Sequence, residues 1–88
     1  MDGLDIVFKA LAHSTRRAIL LRLALCETTV NALGKSFDVT PRVMSKHIGI
    51  LEQAGLVARS RQGQLHLLQL VPDTLGSTKE WIDFIRRA

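Results

Sequence analysis

The feature that most constrains this chain is the junction around Thr40-Pro41. A short stretch of helical spacing, Val30, Leu33 and Phe37, ends just before it. A longer one, Met44, Ile48 and Leu51, begins just after it. The intervening Asp38-Val39 is too short for anything but a tight turn. Proline breaks a helix from inside, but at the first helical position its missing N–H has no intrahelical partner to lose. Thr40 in front of it supplies a side-chain oxygen for the free N–H groups of the first turn. The spacing therefore predicts two helices joined by about three residues, the second starting at Pro41 and stopped by Gly55 at its C′ position. Arg42, Ser45 and Lys46 fall away from its apolar stripe, while Val43, His47 and Ala54 fall on the borders.

The rest of the chain sets this pair in a fold. Leu4, Val7, Phe8 and Leu11 predict an amphipathic first helix. Ser14 is the expected N-cap of a second, with Ile19, Leu20, Leu23 and Leu25 on one side and Arg16, Arg17 and Arg22 largely on the other. Thr28-Thr29 is the expected cap of the third, which Gly34 weakens by about 1 kcal/mol relative to alanine. After Gly55 come two apolar runs, Leu56–Ser60 and Leu65–Val71, with Gly63 between them able to supply the positive φ of a hairpin turn. Pro72-Asp73 is read as closing the second strand. A last helix carries Leu75, Trp81, Ile82 and Ile85, with Ser77-x-x-Glu80 as its capping box and Gly76 as a weak first turn. The expected fold is mostly α with a small β-hairpin, in the order α-α-α-α-β-β-α, as one domain over residues 1–88. Helix, tight turn, well-capped basic helix and then a hairpin with arginines near its tip form the winged helix-turn-helix pattern. The second helix of such a pair enters the DNA major groove near its N-terminus, where free N–H groups also meet phosphate.

Charge points the same way. The 88 residues carry a formal net charge of +4. Residues 35–66 hold Lys35, Arg42, Lys46, Arg59 and Arg61 against Asp38 and Glu52, so most of the excess lies in the middle third, which favours an anionic partner. The composition is 47% hydrophobic, more than a core this small needs, which points to a second copy of the chain as a partner. One cysteine, Cys26, excludes an intrachain disulfide and fits a reducing cytoplasm. No apolar run nears the roughly 18 residues that span a membrane, and the N-terminus lacks a signal-peptide layout. Nothing pairs a nucleophile with a base, and no glycine loop cradles phosphate, so catalysis is not expected. His13, His47 and His66 are too scattered to suggest a metal site, and no cofactor is expected.

Three blocks of the sequence resemble the ArsR/SmtB family of winged-helix repressors over nearly the whole length. ALAHSTRRAIL, Ala10 to Leu20, is similar to the family's ALADPTRRxIL. VMSKHIGILEQAGLV, Val43 to Val57, is similar to AVSKHLKVLxxAGLV, and Pro72, Leu75 and Trp81 match the late PxxL…W pattern. There are departures. His13 and Ser14 replace aspartate and proline, and Gly49 stands where lysine or arginine is frequent. Thr29 and Asn31 occupy the two cysteine positions of the metal sensors, and neither supplies a thiolate. The last helix lacks the Asp/His pairs of the zinc-sensing relatives, and a sensor of reactive sulfur would need two cysteines.

The resemblance implies a homodimeric repressor of double-stranded DNA with a roughly palindromic operator; the chain carries no motif that names an inducer. The candidate DNA-binding residues are Thr40, Arg42, Ser45, Lys46 and His47 on the helix, with Arg59, Arg61, Gln62 and Gln64 on the wing. Arg42 and Ser45 are assigned to base edges and Lys46 to phosphate. His47 has two readings, a packed histidine hydrogen-bonded within the motif or, as the resemblance implies, a DNA-facing one. The candidate dimer interface is Leu4, Val7 and Phe8 with Trp81, Ile82, Phe84 and Ile85, as the first and last helices form it in the family; core packing is the alternative for each. Arg16 and Arg17 either touch the DNA backbone or pair with Asp2, Asp5 or Glu27. Cys26 is expected to be a buried or inert thiol, with a redox switch as the alternative. A winged-helix module for protein contacts is the other functional class.

Overall fold

The structure, a computed structural model, describes residues 2–88. The first helix, α1, runs Gly3–Leu11, capped by Asp2, whose carboxylate accepts the Asp5 N–H at 2.8 Å. Next comes α2, Ser14–Leu25. Its cap is His13 rather than Ser14: the imidazole Nδ1 accepts the Thr15 N–H at 3.1 Å. Nδ1 stands as many bonds from the backbone as an asparagine Oδ1, so it reaches the same N–H.

Thr28–Thr29 form a two-residue strand, β1, before Thr29 caps α3, Val30–Ser36, by accepting the Ala32 N–H at 3.1 Å. The expected cap is present, and a strand that was not expected stands directly in front of it. Helix α4, Pro41–Gln53, begins as read, with Thr40 Oγ1 accepting the Val43 N–H at 3.2 Å and Pro41 in the first turn. It ends in a Schellman arrangement. Gly55 has φ +72°, its N–H donates to the Glu52 carbonyl at 3.0 Å, and the Leu56 N–H donates to the Leu51 carbonyl at 3.0 Å. Leu51 and Leu56, which such a turn brings together, are both fully buried.

Strands β2, Val57–Gln62, and β3, Leu65–Leu70, make the hairpin, and Arg61 and Gln62 belong to the strand rather than the turn. Gly63 has φ +61° and no non-glycine residue among the described residues has positive φ, so the Gly63-Gln64 corner has the type II′ pattern. Strand β3 lies between its two neighbours in the order β1-β3-β2, all antiparallel, with Thr28 opposite Leu68 and Thr29 opposite Leu67. The sheet therefore has a third strand, and the hairpin is fastened to the start of the helix-turn-helix.

The last helix, α5, runs Pro72–Arg87. Pro72 ends the strand and opens the helix at once, as Pro41 opens α4, so Gly76, Ser77 and Glu80 lie inside the helix and form no capping box. Thr74 Oγ1 donates to the Gly55 carbonyl at 2.6 Å, fastening the start of α5 to the end of α4. Ile19, Leu33, Met44, Ile48, Leu51, Leu56 and Leu68 form the deepest layer of the core, between α2, α3, α4 and the sheet. Truncating a leucine in such a layer costs about 2–5 kcal/mol.

Candidate nucleic-acid interface

On α4 the three-four spacing that buries Met44, Ile48 and Leu51 turns Arg42, Ser45 and Lys46 outward, and all three are exposed. None has a hydrogen-bonded side-chain partner among the described residues. Gly49 follows one turn later on the same face, and a Cβ there would meet nothing within 4 Å. Thr40 sits at the N-terminal tip, its hydroxyl committed to the cap.

His47 departs from this face. It is 7% exposed, with Nδ1 3.3 Å from Arg16 Nη1 and its ring centroid 4.6 Å from that of His13. Arginine has no acceptor, so Arg16 donates and Nδ1 of His47 accepts, which requires a neutral ring carrying its proton on Nε2. Burial first, then the neighbouring His13, Arg16 and Lys46 charges, hold its pKa below the usual imidazole value. The ring is packed within the motif, as the first reading has it: Nδ1 is used inside the fold, and Nε2 carries the remaining N–H.

The wing places Arg59, Arg61, Gln62 and Gln64 at the surface, but its arginines are engaged. Arg59 Nη2 pairs with Glu52 Oε1 at 2.7 Å, and Arg61 Nε donates to the Gly63 carbonyl at 3.3 Å. Both partners of the ion pair are about one-third exposed, so it orients more than it stabilises. Asn31, outside the expected set, lines with Thr29, Arg59, Gln64 and His66 a small polar cleft between α3 and the wing. Glu52 was missed as well. The signal was there, an acid and a base on either side of the Gly55 turn.

Arg16 and Arg17 do not pair with Asp2, Asp5 or Glu27. Arg16 Nε donates to the Ala10 carbonyl at 2.8 Å and Nη2 to the Lys9 carbonyl at 3.1 Å, while Arg17 Nη1 donates to the Leu11 carbonyl at 2.8 Å. They bind carbonyls at the C-terminus of α1, where cationic groups are favoured, and the Lys9 carbonyl accepts the Ala12 N–H as well. Cys26 is exposed rather than buried, with Arg22 Nη1 3.1 Å from its sulfur.

A second surface is apolar. Trp81, Ile82, Phe84 and Ile85 on α5 are exposed, Phe84 by 66%, and Phe8 of α1 meets Trp81 edge-to-face at 5.9 Å. Leu4 is half-buried, and Val7, at 5% exposed and about 100° round α1 from Phe8, packs in the protomer's own core. No helix among the described residues is long and apolar enough to cross a membrane.

Residues 11–59, from the end of α1 into the wing, match a family model described as a helix-turn-helix domain. The HTH-type transcriptional regulator YuzN of Bacillus subtilis is 37% identical over 87 residues, covering 90% of this chain and 95% of that protein. The transcriptional repressor SdpR of the same organism is 32% identical over 82 residues, covering 92% and 91%. The crystal structure of an ArsR family transcriptional regulator matches with a TM-score of 0.92 at 31% identity, covering 98% of this chain and 94% of that one. The solution structure of a homodimeric winged helix-turn-helix DNA-binding domain from Mycobacterium bovis matches with a TM-score of 0.79 at 25% identity, covering 98% and 80%.

Proposed function

We infer that this chain, which belongs to the ArsR family of winged helix-turn-helix transcriptional regulators, acts as a homodimeric repressor that occludes promoter DNA in the cytoplasm. The observation that carries the reading is the unpartnered outward face of α4, with Arg42, Ser45 and Lys46 exposed beside a basic wing. Arg42 and Ser45 meet base edges in the major groove, and Lys46 meets phosphate. Arg59, Arg61, Gln62 and Gln64 flank the groove. Phe8, Trp81, Ile82, Phe84 and Ile85 supply the apolar surface that a second copy covers, in keeping with the homodimeric M. bovis domain.

Two-fold symmetry then calls for a roughly palindromic operator with half-sites about 10 base pairs apart, or a multiple of that. Neutralising on the order of six to ten phosphates makes affinity fall steeply with salt. A gel shift on the protein's own promoter region at several salt concentrations tests the reading. The expected result is a specific, salt-sensitive complex with two chains per operator. Binding indifferent to sequence, or none, overturns it.

A further inference from the structure

The three nitrogens of Arg16 reach three different places. Nε and Nη2 hold the Ala10 and Lys9 carbonyls at the end of α1, and Nη1 holds His47 Nδ1 in the middle of α4. Helix α1 also carries Phe8, which meets Trp81 edge-to-face in the apolar surface, and α4 carries the outward residues Arg42, Ser45 and Lys46. One guanidinium thus spans the helix that would face a second copy and the helix that would face DNA.

We propose that Arg16 and His47 are positioning residues which lock the reading helix to the dimerisation helix, and that the lock holds only while His47 is neutral. The inference rests on the repressor reading above and deepens it. In a two-fold dimer the separation of the two α4 helices is set by how each is held relative to the shared α1–α5 surface. A shift within each protomer changes that separation twice over. A full operator, whose half-sites stand at fixed spacing, feels the shift, whereas a single half-site does not.

The chemistry of the lock is one-sided. Protonating His47 at Nδ1 sets an N–H against an N–H of Arg16, which has no lone pair to offer. The groups facing this ring are Lys46 on α4, Arg16 on α2 and His13 at the start of α2. From α1 come the Lys9 and Ala10 carbonyls bound by Arg16, while the Lys9 side chain lines a groove beside Arg16 with Ile6, Ile50 and Gln53. None of these is a carboxylate that would stabilise the imidazolium. Burial and the surrounding positive charge lower the His47 pKa, so the lock is intact at the ordinary imidazole pKa and above, and is released only as pH falls through the lower value of the folded protein.

Operator affinity should therefore fall on acidification. Simple electrostatics predicts the opposite, because each new positive charge on a DNA-binding protein favours the polyanion. That contrast in sign makes the inference testable. Fluorescence anisotropy is measured between about pH 5 and pH 8 on the operator and on a duplex holding one half-site. Wild type should lose roughly tenfold on the operator as pH falls, the scale of one hydrogen bond to a charged group, and keep or gain affinity for the half-site. His47→Leu should lose about the same at neutral pH on the operator alone. His47→Asn, whose Oδ1 sits where Nδ1 sits, should recover most of that loss and flatten the profile. Arg16→Lys, unable to reach three acceptors at once, serves as a second lock-breaking variant if His47→Leu does not fold, with thermal melts as the check on folding.

Imidazole nitrogen shifts read the lock without DNA. His47 should carry its proton on Nε2 and titrate below the ordinary range, and Arg16→Lys should move it back. A proton on Nδ1, or a titration that ignores Arg16→Lys, overturns the inference. So does specific binding by wild type that stays flat or strengthens on acidification. No specific binding by wild type at any pH overturns the repressor reading, and the inference falls with it.

Discussion

On α4 the guanidinium of Arg42 and the ammonium of Lys46 reach into solvent with no side-chain partner among the described residues, whereas on the wing Arg59 is held by Glu52 and Arg61 by the Gly63 carbonyl. Both surfaces are basic, yet they meet an anion differently. The helix residues must give up rotamer freedom to bind, and they exchange no protein contact. The wing arginines are already aimed, and a phosphate has to compete with a carboxylate or a carbonyl for their donors. Free donors give the larger gain in affinity and discrimination, while tethered donors contribute orientation. The difference separates the two halves of an interface that charge counting treats as one.

The sharpest test of that contrast is Arg42→Ala against Arg59→Ala on the same operator. Losing Arg42 should cost about 1–3 kcal/mol and relax base preference, as loss of a bidentate base contact does. Arg59→Ala should cost less by titration in the same buffer, and equal losses would break the comparison. Lys46→Ala should weaken all sequences alike and reduce the salt slope by about one. Next in size is Thr40→Ala, which removes the cap beneath Arg42 and should lower stability by about 1 kcal/mol in a denaturant melt. Gly49→Lys should go the other way. Its Cβ meets open space, the helix gains up to about 1 kcal/mol, and the operator gains a phosphate contact. The smallest effect is expected of Glu52→Gln, which frees Arg59 and removes a negative charge, raising operator affinity roughly twofold to threefold.

These tests rest on residues of unequal legibility. Both ends of α4 could be read from the sequence because caps are local chemistry: Thr40, Pro41 and Gly55 act on neighbours within a few positions. The outward set Arg42, Ser45 and Lys46 followed from periodicity alone. Features that depend on distant partners did not. Thr28-Thr29 reads as a cap whether or not it also pairs with Leu67 and Leu68, about 40 residues on. His47 sits on the border of the apolar stripe, where spacing leaves its direction open, and Arg16, which decides it, is 31 positions away. His13 was passed over as a cap because histidine rarely serves as one, though its Nδ1 has the reach. Pro72 carries two punctuation marks at once, and only the first was read. Val7 shares a helix with Phe8 but not a direction, and one step along a helix turns a side chain by about 100°.

The short pairing of Thr28-Thr29 with β3 has a consequence for the thermodynamics of association. It joins the wing's inner strand to the residue that caps α3, so the hairpin cannot swing independently of the helix-turn-helix. Most of the ordering entropy that a loose flap would lose on meeting a duplex has therefore already been lost on folding. Calorimetry of operator binding should then give a heat-capacity change matched by the surface buried between two rigid bodies, without the larger change that accompanies coupled folding.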